Sequence, residues 1–266
     1  MNHPILKKKP GGTGQLAYFH GLSEEEKIQA FQEMVDECQR IVFFGGAGTS
    51  TECGIPDFRS ADGLYNTVDA QFDQYEPEYL LSHTCLYHNP KVFFEFYRQK
   101  LNFNDAKPVY MHYVLADWER QGKLSAIVTQ NIDGIHQKAG SKTVYEIHGT
   151  AEICHCTKCG KRFTSDSIFG TKEKIPHCDC GGMIRPDIVL YEESLPKKEW
   201  NSSVKAIENA DMLIIAGTSL SVYPAAGLTM DFSGKYMVLL NMQEGPMDQN
   251  CDLVFHEPMG EIFKHF

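Results

Sequence analysis

The sequence predicts an α/β protein whose core is a parallel sheet of six strands, accompanied by a smaller lobe. The first observation is that short runs of β-branched and aromatic residues alternate with amphipathic helical segments, which is the pattern of βαβ units. The second is that two close pairs of cysteines lie between residues 156 and 180, in a Gly-containing segment that interrupts this alternation. One large lobe carrying a smaller one accounts for both observations.

The composition limits the class of protein. The chain has 266 residues, 42% hydrophobic and 23% charged, which suits an enzyme-sized globular unit. Its 25 basic and 35 acidic residues give a formal charge of −10. This charge disfavours nucleic acid or an anionic membrane as the main partner but allows Lys-rich peptides. No run approaches the roughly 18 apolar residues of a membrane span, and no signal-peptide core follows Lys9, so we expect a cytoplasmic protein.

Hydrophobic periodicity and end signals place the elements along the chain. Residues 1–22 show no periodicity, and we expect a loosely ordered extension there. Ser23 begins a helix, with Glu26 completing a capping box. Helices are also predicted over residues 90–101, 107–121 and 196–209, and strands over residues 41–44, 125–129, 143–147, 212–216, 236–240 and 252–255. Because strands alternate with helices, the sheet is expected to be parallel.

The most informative stretch follows the first predicted strand. Gly45-Gly46-Ala47-Gly48 ends the apolar run, and such small residues let the backbone approach a ligand. Thr49, Ser50 and Thr51 favour the start of a short helix whose free N–H groups would face a diphosphate. The stretch therefore predicts a nucleotide cradle. Because Thr51 occupies the place of the third glycine of a dinucleotide fingerprint, tight-turn packing explains the glycines equally well.

The residues after this turn do not fit a hydride-transfer fold. No second strand follows, and no acidic residue ends one about 20 residues after the glycines. Asp57, Phe58 and Arg59 instead enter a polar loop that could fold over a ligand, with Phe58 covering a planar ring between two charges. A structural ion pair between Asp57 and Arg59 on a surface turn is an equally good interpretation.

Polar residues recur where the later strands end. Gln130, Asn131 and Asp133 follow the second strand, and His148 follows the third. Ligands collect at the carboxyl ends of parallel strands, so we expect these side chains to converge on the crevice beside the glycine loop. A histidine between a strand end and a glycine favours a functional role. His136, about one turn into a helix, is interpreted as structural.

The second half of the chain adds polar residues at strand ends and a segment that could pair with a peptide. Thr218 and Ser219 follow the fourth strand and Asn241 follows the fifth, where they suit ribose and diphosphate groups. The alternating apolar residues of segment 184–191 are typical of an exposed edge that pairs with an extended peptide. A buried connecting strand is an equally good interpretation of that segment.

Cysteine spacing predicts a metal site rather than a disulfide framework, because the nine cysteines are odd in number and five lie close together. Cys156 with Cys159, and Cys178 with Cys180, match the thiolate pairs of a tetrahedral zinc ribbon. Since the second pair has only one intervening residue, His177 with Cys180 is an alternative pair. Four protein ligands would leave no open position, so the zinc would be structural.

Together these motifs resemble the sirtuin family, the NAD-dependent protein-lysine deacylases, from about Ser23 to the end of the chain. The resemblance is carried by Gly46-Ala47-Gly48-Thr49-Ser50, Gly54-Ile55-Pro56-Asp57-Phe58-Arg59, Thr129-Gln130-Asn131-Ile132-Asp133, His148-Gly149, the four cysteines and Gly217-Thr218-Ser219. It implies a Rossmann-like lobe of residues 23–59, 105–150 and 185–266. It also implies a small lobe of the helical insertion 60–104 and the zinc ribbon 151–184, with NAD and acyl-lysine entering the cleft from opposite sides.

The resemblance also implies roles for individual residues. The implied NAD contacts are Gly46, Ala47, Thr51, Asp57, Phe58, Arg59, Gln130, Ile132, Asp133, Gly217, Thr218, Ser219 and Asn241. His148 is the implied general base, and Asn131 is a second catalytic residue. The implied substrate contacts are Val189, Tyr191 and Val222. In the implied reaction the acyl oxygen attacks the ribose C1′ and nicotinamide leaves. The base then frees a ribose hydroxyl that attacks the resulting imidate, which yields deacylated lysine and O-acyl-ADP-ribose.

Two features of the chain bear on its substrate. The family usually has glycine after the aromatic residue at Tyr191, whereas this chain has Glu192, so the glycine conformation is not expected to be open there. Relatives that remove succinyl or malonyl groups carry an arginine soon after the Phe-Arg motif, and this chain has no arginine between Arg59 and Arg98. A buried acyl carboxylate would lack a cation, so we expect neutral acyl groups, acetyl first.

Two other functions stay open. In NAD-dependent mono-ADP-ribosylation a protein side chain or water intercepts the same activated ribose, and His148 favours deacylation because interception needs no base for the ribose hydroxyl. A non-catalytic NAD-sensing zinc-ribbon module would bind the nucleotide without releasing nicotinamide. The missing second strand and acidic ribose partner make a dehydrogenase the least favoured function.

Overall fold

The structure is a computed structural model that describes residues 4–10, 14–57, 63–65, 67, 70–220 and 223–266. The strands are β1 (Ile41–Gly45), β2 (Leu124–Thr129), β3 (Val144–Glu146), β4 (Gly149–Cys156), β5 (Arg162–Thr164), β6 (Ile184–Ile188), β7 (Met212–Ala216), β8 (Tyr236–Leu240) and β9 (Leu253–Phe255). The α-helices are α1 (Gly14–His20), α2 (Glu24–Glu37), α3 (Pro77–Leu80), α4 (His83–His88), α5 (Pro90–Lys100), α6 (Tyr110–Arg120), α7 (Ile135–Lys138), α8 (Asp166–Phe169), α9 (Lys197–Glu208) and α10 (Met259–Phe263).

Six strands form the large sheet in the order β3-β2-β1-β7-β8-β9, and every neighbouring pair is parallel. This is the doubly wound Rossmann order, in which the direction of strand addition reverses at the first strand. The predicted six-stranded parallel sheet is therefore confirmed. The reversal places a crevice at the carboxyl ends of β1 and β7.

Strand β1 shows why the sheet is buried on both faces. Its five residues are all buried, and their side chains alternate between the two faces. Ile41 and Phe43 belong to the hydrophobic cluster that includes residues of α2, α6 and α10. Val42 and Phe44 belong to the cluster that includes Ile207 of α9. An uninterrupted apolar strand is what a sheet covered on both faces requires.

Helix α2 begins as the sequence predicts. The Ser23 hydroxyl accepts a hydrogen bond from the Glu26 backbone N–H, and the Glu26 carboxylate accepts one from the Ser23 N–H. The capping box is therefore formed. The apolar side of the helix then packs on the sheet through Phe31 and Met34, which are fully buried.

The segment before Ser23 differs from the loosely ordered extension that the sequence predicts. Residues Gly14–His20 form a helix, and Phe19 is fully buried in the main core. The Glu33 carboxylate accepts hydrogen bonds from the backbone N–H groups of Ile5 and Leu6. A helix of seven residues is too short to show a clear period, and its stability comes from docking, which local sequence does not report.

A smaller sheet, in the order β5-β4-β6, is antiparallel. Its residues share one hydrophobic cluster, called the smaller cluster below, with helices α3, α4 and α5; in it Phe93 and Phe96 lie together with Cys154 and Ile184. The helix predicted over residues 90–101 thus contributes its aromatic residues to this core. The division of the chain into lobes at the residue numbers given above stays a prediction.

Within segment 184–191, Ile184–Ile188 form β6, which lies at the end of the strand order of the smaller sheet. In β6, Ile184, Arg185 and Ile188 are buried, and the strand pairs with β4. The chain then continues beyond the ladder, where the Val189 N–H donates to the His148 carbonyl at 2.8 Å. Among the helices of the described ranges, none has both the length and the apolar character needed to cross a bilayer.

Candidate active site

The crevice begins where two glycine loops touch, one after β1 and one after β7. The Gly46 N–H donates to the Ala216 carbonyl at 2.9 Å, and the Gly48 N–H donates to the Gly217 carbonyl at 2.8 Å. These bonds continue the β1–β7 ladder past the ends of both strands. The backbones of the two loops therefore form one continuous floor.

This contact requires glycine. Gly217 has φ +59°, and a Cβ atom there would lie 2.5 Å from the Thr49 nitrogen. A Cβ atom at Gly46 would lie 2.6 Å from the Thr218 Cβ, and one at Gly48 would lie 2.7 Å from the Gly217 Cα. Each position is closer than real Cβ atoms approach their neighbours. Tight packing of the two loops thus accounts for these glycines, and a phosphate role for the same turn stays a prediction.

The turn after Gly46 differs from the helix start that the sequence predicts. Residues Ala47–Thr49 and Thr51–Cys53 form two short 3-10 turns. The Thr49 hydroxyl donates to the Gly46 carbonyl at 2.7 Å, and the Thr51 hydroxyl donates to the Gly48 carbonyl at 3.0 Å. Both hydroxyls thus close the turn on itself instead of capping a helix. Local hydrogen bonding of this kind competes with helix formation.

Asn131 fastens the loop after β2 to the loop after β1. Its side-chain amide lies 3.0 Å from each of three acceptors, the Gly46 carbonyl and the hydroxyl oxygens of Thr49 and Ser50. Ser50 in turn donates to the Asp133 carboxylate at 2.7 Å. Predicted residues from two strand ends are therefore held in one network.

Asp133 is an anchoring acid of this network. Its side chain is buried, with 4% exposed, and its second oxygen accepts the Ile135 N–H at 2.9 Å. Burial raises the pKa of Asp133, although the hydrogen bonds from Ile135 and Ser50 oppose that shift. Asp133 thereby fixes the start of α7 behind the crevice.

Gln130 joins the crevice to the loop after β7. Its backbone N–H donates to the Gly45 carbonyl at 2.9 Å, and its side-chain amide donates to the Thr218 hydroxyl at 3.2 Å. Its own carbonyl accepts from His148. One residue thus connects the ends of β1, β2, β3 and β7.

His148 lies half-buried at the end of β3, with Nδ1 2.9 Å from the Gln130 carbonyl oxygen. A carbonyl can only accept, so Nδ1 carries the proton and the neutral ring has its lone pair on Nε2. Burial lowers the pKa of His148 more than the Gln130 hydrogen bond raises it. The imidazole is consequently neutral at pH 7 and can take up a proton.

Two of the predicted substrate residues, Val189 and Tyr191, lie on the segment that is bonded to His148. The Val189 N–H is bonded to the His148 carbonyl, and the Tyr191 N–H donates to the Leu81 carbonyl at 3.0 Å. The Tyr191 hydroxyl accepts from the Tyr65 hydroxyl at 3.1 Å. Segment 189–191 therefore runs from the histidine towards the helices of the smaller cluster.

The remaining predicted residues are spread over several parts of the fold. Ala47 and Thr51 are on the glycine turn, Ile132 packs against the smaller cluster, and Ser219 is exposed after Thr218. Asn241, at the end of β8, donates its side-chain amide to the Gln243 carbonyl and is not bonded to the Gln130 network. The Asp57 carbonyl accepts from the Leu64 N–H. Phe58, Arg59 and Val222 lie outside the described residues.

Ser50 is a site residue that the sequence analysis does not single out. It links Asn131 and Asp133, although it lies 81 and 83 residues from them in the chain. The available signal was its position in the polar run after the first strand. Its partners could be identified only once the strand ends were brought together.

Two buried histidines lie behind the crevice. His112 and His136 are 0% and 2% exposed, and their ring centroids are 4.8 Å apart. Both ring nitrogens of His136, and Nε2 of His112, have no hydrogen-bond partner among the described residues. Burial lowers the pKa of His112 to about 4 and that of His136 to about 3. The interpretation of His136 as structural fits this environment.

The cysteine cluster has the geometry of a structural metal site. The sulfur atoms of Cys156, Cys159, Cys178 and Cys180 all lie within 4.8 Å of one another. The Cys156–Cys180 and Cys159–Cys178 distances are 3.4 and 3.8 Å, close to the roughly 3.8 Å that tetrahedral zinc with Zn–S bonds near 2.3 Å requires. Backbone N–H groups of Cys159 and Lys158 point at the Cys156 sulfur and lower its pKa.

His177 is not part of this cluster. Its Nδ1 instead lies 3.5 Å from the Glu173 carboxylate, and its side chain is half exposed. The four cysteines thus fit one structural zinc ion, and the alternative pair of His177 with Cys180 does not match the geometry.

Comparison with known proteins agrees with this arrangement. The sequence profile of the Sir2 family matches residues 46–224. The chain is 51% identical over 240 residues to an NAD-dependent protein deacetylase of Clostridium acetobutylicum, covering 90% of this chain and 97% of that protein.

Two solved structures show the same likeness. A complex of Sir2 with p53 peptide and NAD+ has a TM-score of 0.78 and 34% identity, and the match covers 88% of this chain and 94% of the other. A complex of a Sir2 variant with deacetylated p53 peptide and 3′-O-acetyl ADP ribose has a TM-score of 0.81 and 33% identity, with 90% and 96% covered.

We expect one zinc ion per chain, bound by the four cysteines. Removing it with a chelator should unfold the smaller cluster, because ribbon and helices share one core, while the large sheet keeps its order. Metal analysis and amide hydrogen exchange measure the two effects. Zinc retained at one ion per chain after Cys156→Ser and Cys159→Ser together would contradict this assignment.

We expect the buried histidines to make stability sensitive to acid. Their folded pKa values lie below the unfolded value near 6.5, so their contribution is complete above that pH and is lost as pH falls towards 4. In that range each histidine adds a slope of about 1.4 kcal/mol per pH unit to the free energy of unfolding. Denaturant titrations of His136→Phe should show a shallower slope than wild type, and an unchanged slope would disprove the effect. Exposed His265→Ala is the matched control.

Proposed function

The chain belongs to the Sir2 family, and we propose that it is an NAD-dependent protein-lysine deacetylase. In this reaction NAD, water and an acyl-lysine peptide yield nicotinamide, deacylated lysine and O-acyl-ADP-ribose. The observation that carries the proposal is a neutral imidazole, that of His148, joined through one residue, Gln130, to the glycine loop of the nucleotide crevice. The high identity to NAD-dependent protein deacetylases, over nearly their whole length, supports it.

We assign NAD to the floor made by the two glycine loops. Gly46, Ala47 and Thr51 on one side, and Gly217, Thr218 and Ser219 on the other, would contact its phosphates and ribose groups. The backbone floor supports this assignment because Gly46, Gly48 and Gly217 contribute only peptide groups to it. Asn241, at the next strand end, would reach the adenosine ribose. Asp57, Phe58 and Arg59 would cover the nucleotide.

The nicotinamide end would lie against the loop after β2. Gln130 would hold the nicotinamide ribose, while Ile132 and Asp133 would bind the carboxamide. Asp133 is suited to that role because Ser50 and Ile135 fix its carboxylate in a buried position. Asn131 would support catalysis by keeping this loop in register with the glycine turn, as its three contacts of 3.0 Å suggest.

His148 would act as the general base. Its Nδ1 is committed to Gln130, so Nε2 is the atom that would accept the proton of a ribose hydroxyl. The lowered pKa keeps the ring neutral before that step. Val189 and Tyr191 would hold the substrate backbone and acyl chain close to this nitrogen, with Val222 as the opposite wall.

The zinc ion would supply no chemistry in this scheme. The four cysteines occupy all positions of a tetrahedral ion, so its contribution is to hold the smaller cluster together. The hydrophobic cluster that contains Cys156 and Cys178 also contains residues of α4, on which segment 189–191 rests.

Partners and compartment extend the proposal. Acyl-lysine peptides or proteins are the expected partners, as in the solved Sir2 complex with acetylated peptide. The exclusion of nucleic acid and membranes follows from the charge of −10 and stays a prediction, as does the cytoplasmic location.

Mono-ADP-ribosylation remains the second candidate, because it begins with the same loss of nicotinamide. The neutral His148 disfavours it, since a base at the ribose hydroxyl has no task when another nucleophile captures the sugar. Labelled NAD separates the two reactions. Label on the protein supports the second candidate, and label only in O-acyl-ADP-ribose supports deacetylation. A nucleotide-sensing module would release no nicotinamide.

We expect His148→Ala to lose at least about 100-fold in deacetylation, the usual contribution of a general base. NAD affinity should stay within about twofold of wild type, because the imidazole supplies a proton acceptor and is not part of the glycine-loop floor assigned to NAD. The measurement follows nicotinamide and deacetylated peptide together, with NAD affinity by calorimetry. His265→Ala serves as the control for loss of a histidine elsewhere. Near-normal turnover of an acetyl-peptide by His148→Ala would remove His148 from this role.

We expect neutral acyl groups to be preferred, acetyl first. Arg98, the next arginine in the sequence after Arg59, donates to the carbonyls of Ile168, Glu173 and Lys174 at 2.8–2.9 Å and is thereby committed. A succinyl carboxylate would be buried without a cation, which should lower kcat/KM by about 100-fold or more. Parallel assays with acetyl- and succinyl-peptides of one sequence test this. Faster desuccinylation would overturn it.

A further inference from the structure

Glu192 adopts a backbone conformation that is rare for a residue with a side chain. Its φ is +76°, in the left-handed region, although the sequence analysis expects that region to be closed to a glutamate. The residue is exposed, so packing in a core does not impose the conformation. Something local must hold it.

The holding contact is made by the Glu192 carboxylate itself. One of its oxygens accepts two hydrogen bonds from Thr84, at 2.9 Å from the backbone N–H and 2.7 Å from the hydroxyl. Thr84 lies in the first turn of α4, where backbone N–H groups have no partner within the helix. These bonds lower the pKa of Glu192, so the carboxylate is ionised at neutral pH.

Glu193, the next residue, has a different task. Its carboxylate binds the buried guanidinium of Arg185 at 2.6 and 3.0 Å and accepts the Leu190 N–H. Glu193 therefore fastens the turn to β6, inside its own sheet. Glu192 fastens the same turn to a helix of the smaller cluster.

The backbone on the other side of the turn is tied to that helix as well. The Tyr191 N–H donates to the Leu81 carbonyl at 3.0 Å, and the His83 N–H donates to the Tyr191 carbonyl at 3.1 Å. Four residues, 189–192, thus extend from the His148 carbonyl at one end to the first turn of α4 at the other. Glu192 is the last of these attachments.

We propose that Glu192 is a positioning residue for the acyl-peptide. Its carboxylate holds the left-handed turn against Thr84 and so fixes segment 189–191, along which the substrate backbone would bind. This inference rests on the proposed function. Because segment 189–191 is already ordered, peptide binding does not have to pay the entropic cost of ordering it. The contact therefore acts on substrate binding and not on chemistry at His148.

The test compares steady-state kinetics for Glu192→Ala, Glu192→Gln and Glu192→Gly with wild type. Alanine removes both hydrogen bonds and keeps the unfavourable conformation, so KM for the acetyl-peptide should rise about fivefold to tenfold, with kcat and KM for NAD within twofold. Glutamine keeps an acceptor oxygen and should restore most of the peptide KM. Glycine accepts the backbone conformation without strain, so it folds even where alanine does not, yet its peptide KM should also rise.

Controls separate this role from general damage. Glu208→Ala removes an exposed glutamate from α9 and should leave all constants unchanged. Thr84→Val removes the hydroxyl donor and keeps the backbone N–H. In the double variant of Thr84→Val and Glu192→Gly, the peptide KM should be no higher than in Glu192→Gly alone. Hydrogen exchange should show faster exchange of the Thr84 and Tyr191 amides in Glu192→Gly.

The outcomes are distinct. If the wild type is active and the peptide KM of both Glu192→Ala and Glu192→Gly equals the wild-type value, the positioning role alone is overturned. A change in kcat and in KM for NAD as large as the change in peptide KM would overturn it as well. A wild type that does not deacetylate overturns the proposed function and this inference with it, whatever the exchange of Thr84 shows.

Discussion

The backbone contact between the loops after β1 and β7 is the constraint on which the site depends. These strands are neighbours at the point where the sheet reverses its order, so the chain continues from them towards opposite faces of the sheet. A crevice opens between the two connections. The loops can touch only because Gly46, Gly48 and Gly217 lack side chains. The result is a floor of peptide groups, and Gln130 and Asn131 are hydrogen-bonded to the first of these loops. A single Cβ atom on that floor would move both loops apart and with them the anchors of the network.

The histidine at the edge of this floor is oriented by main-chain atoms. Its Nδ1 is bonded to the Gln130 carbonyl, and its own carbonyl accepts from Val189. The ring is thus fixed between the nucleotide crevice and the segment that leads to the smaller cluster. A neutral ring with a determined tautomer suits proton abstraction, because no reorganisation precedes the step.

The smaller cluster acts on this centre through its packing. Three of the four cysteines, Cys156, Cys178 and Cys180, pack with helices α4 and α5 in one core. The contacts to Tyr191 and Glu192 are made by the first residues of α4. Loss of order around the metal would therefore loosen the side of the crevice opposite the glycine loops. By this route we expect order in the cysteine cluster to affect segment 189–191, although the four cysteines lie outside the crevice.

The sequence by itself determined the six strands of the large sheet, the capping box of α2 and a thiolate metal site, because apolar runs, caps and thiolate spacing are local signals. It left open whether His177 replaces Cys178 among the metal ligands. It also placed Gln130, Asn131, Asp133 and His148 at strand ends, from which their meeting could be inferred. Only the tertiary structure decided that Phe19 docks on the core, that Ser50 joins Asn131 to Asp133, and that the turn at Gly46 closes on itself. It also decided that Glu192 takes the left-handed conformation. The docking of Phe19, the bridge through Ser50 and the conformation of Glu192 each depend on a partner distant in the chain, such as Thr84 for Glu192. The free energy of such contacts cannot be read from the neighbouring residues. At Gly46 the bonds are local, and the structure decided between two local alternatives, a capped helix and a closed turn.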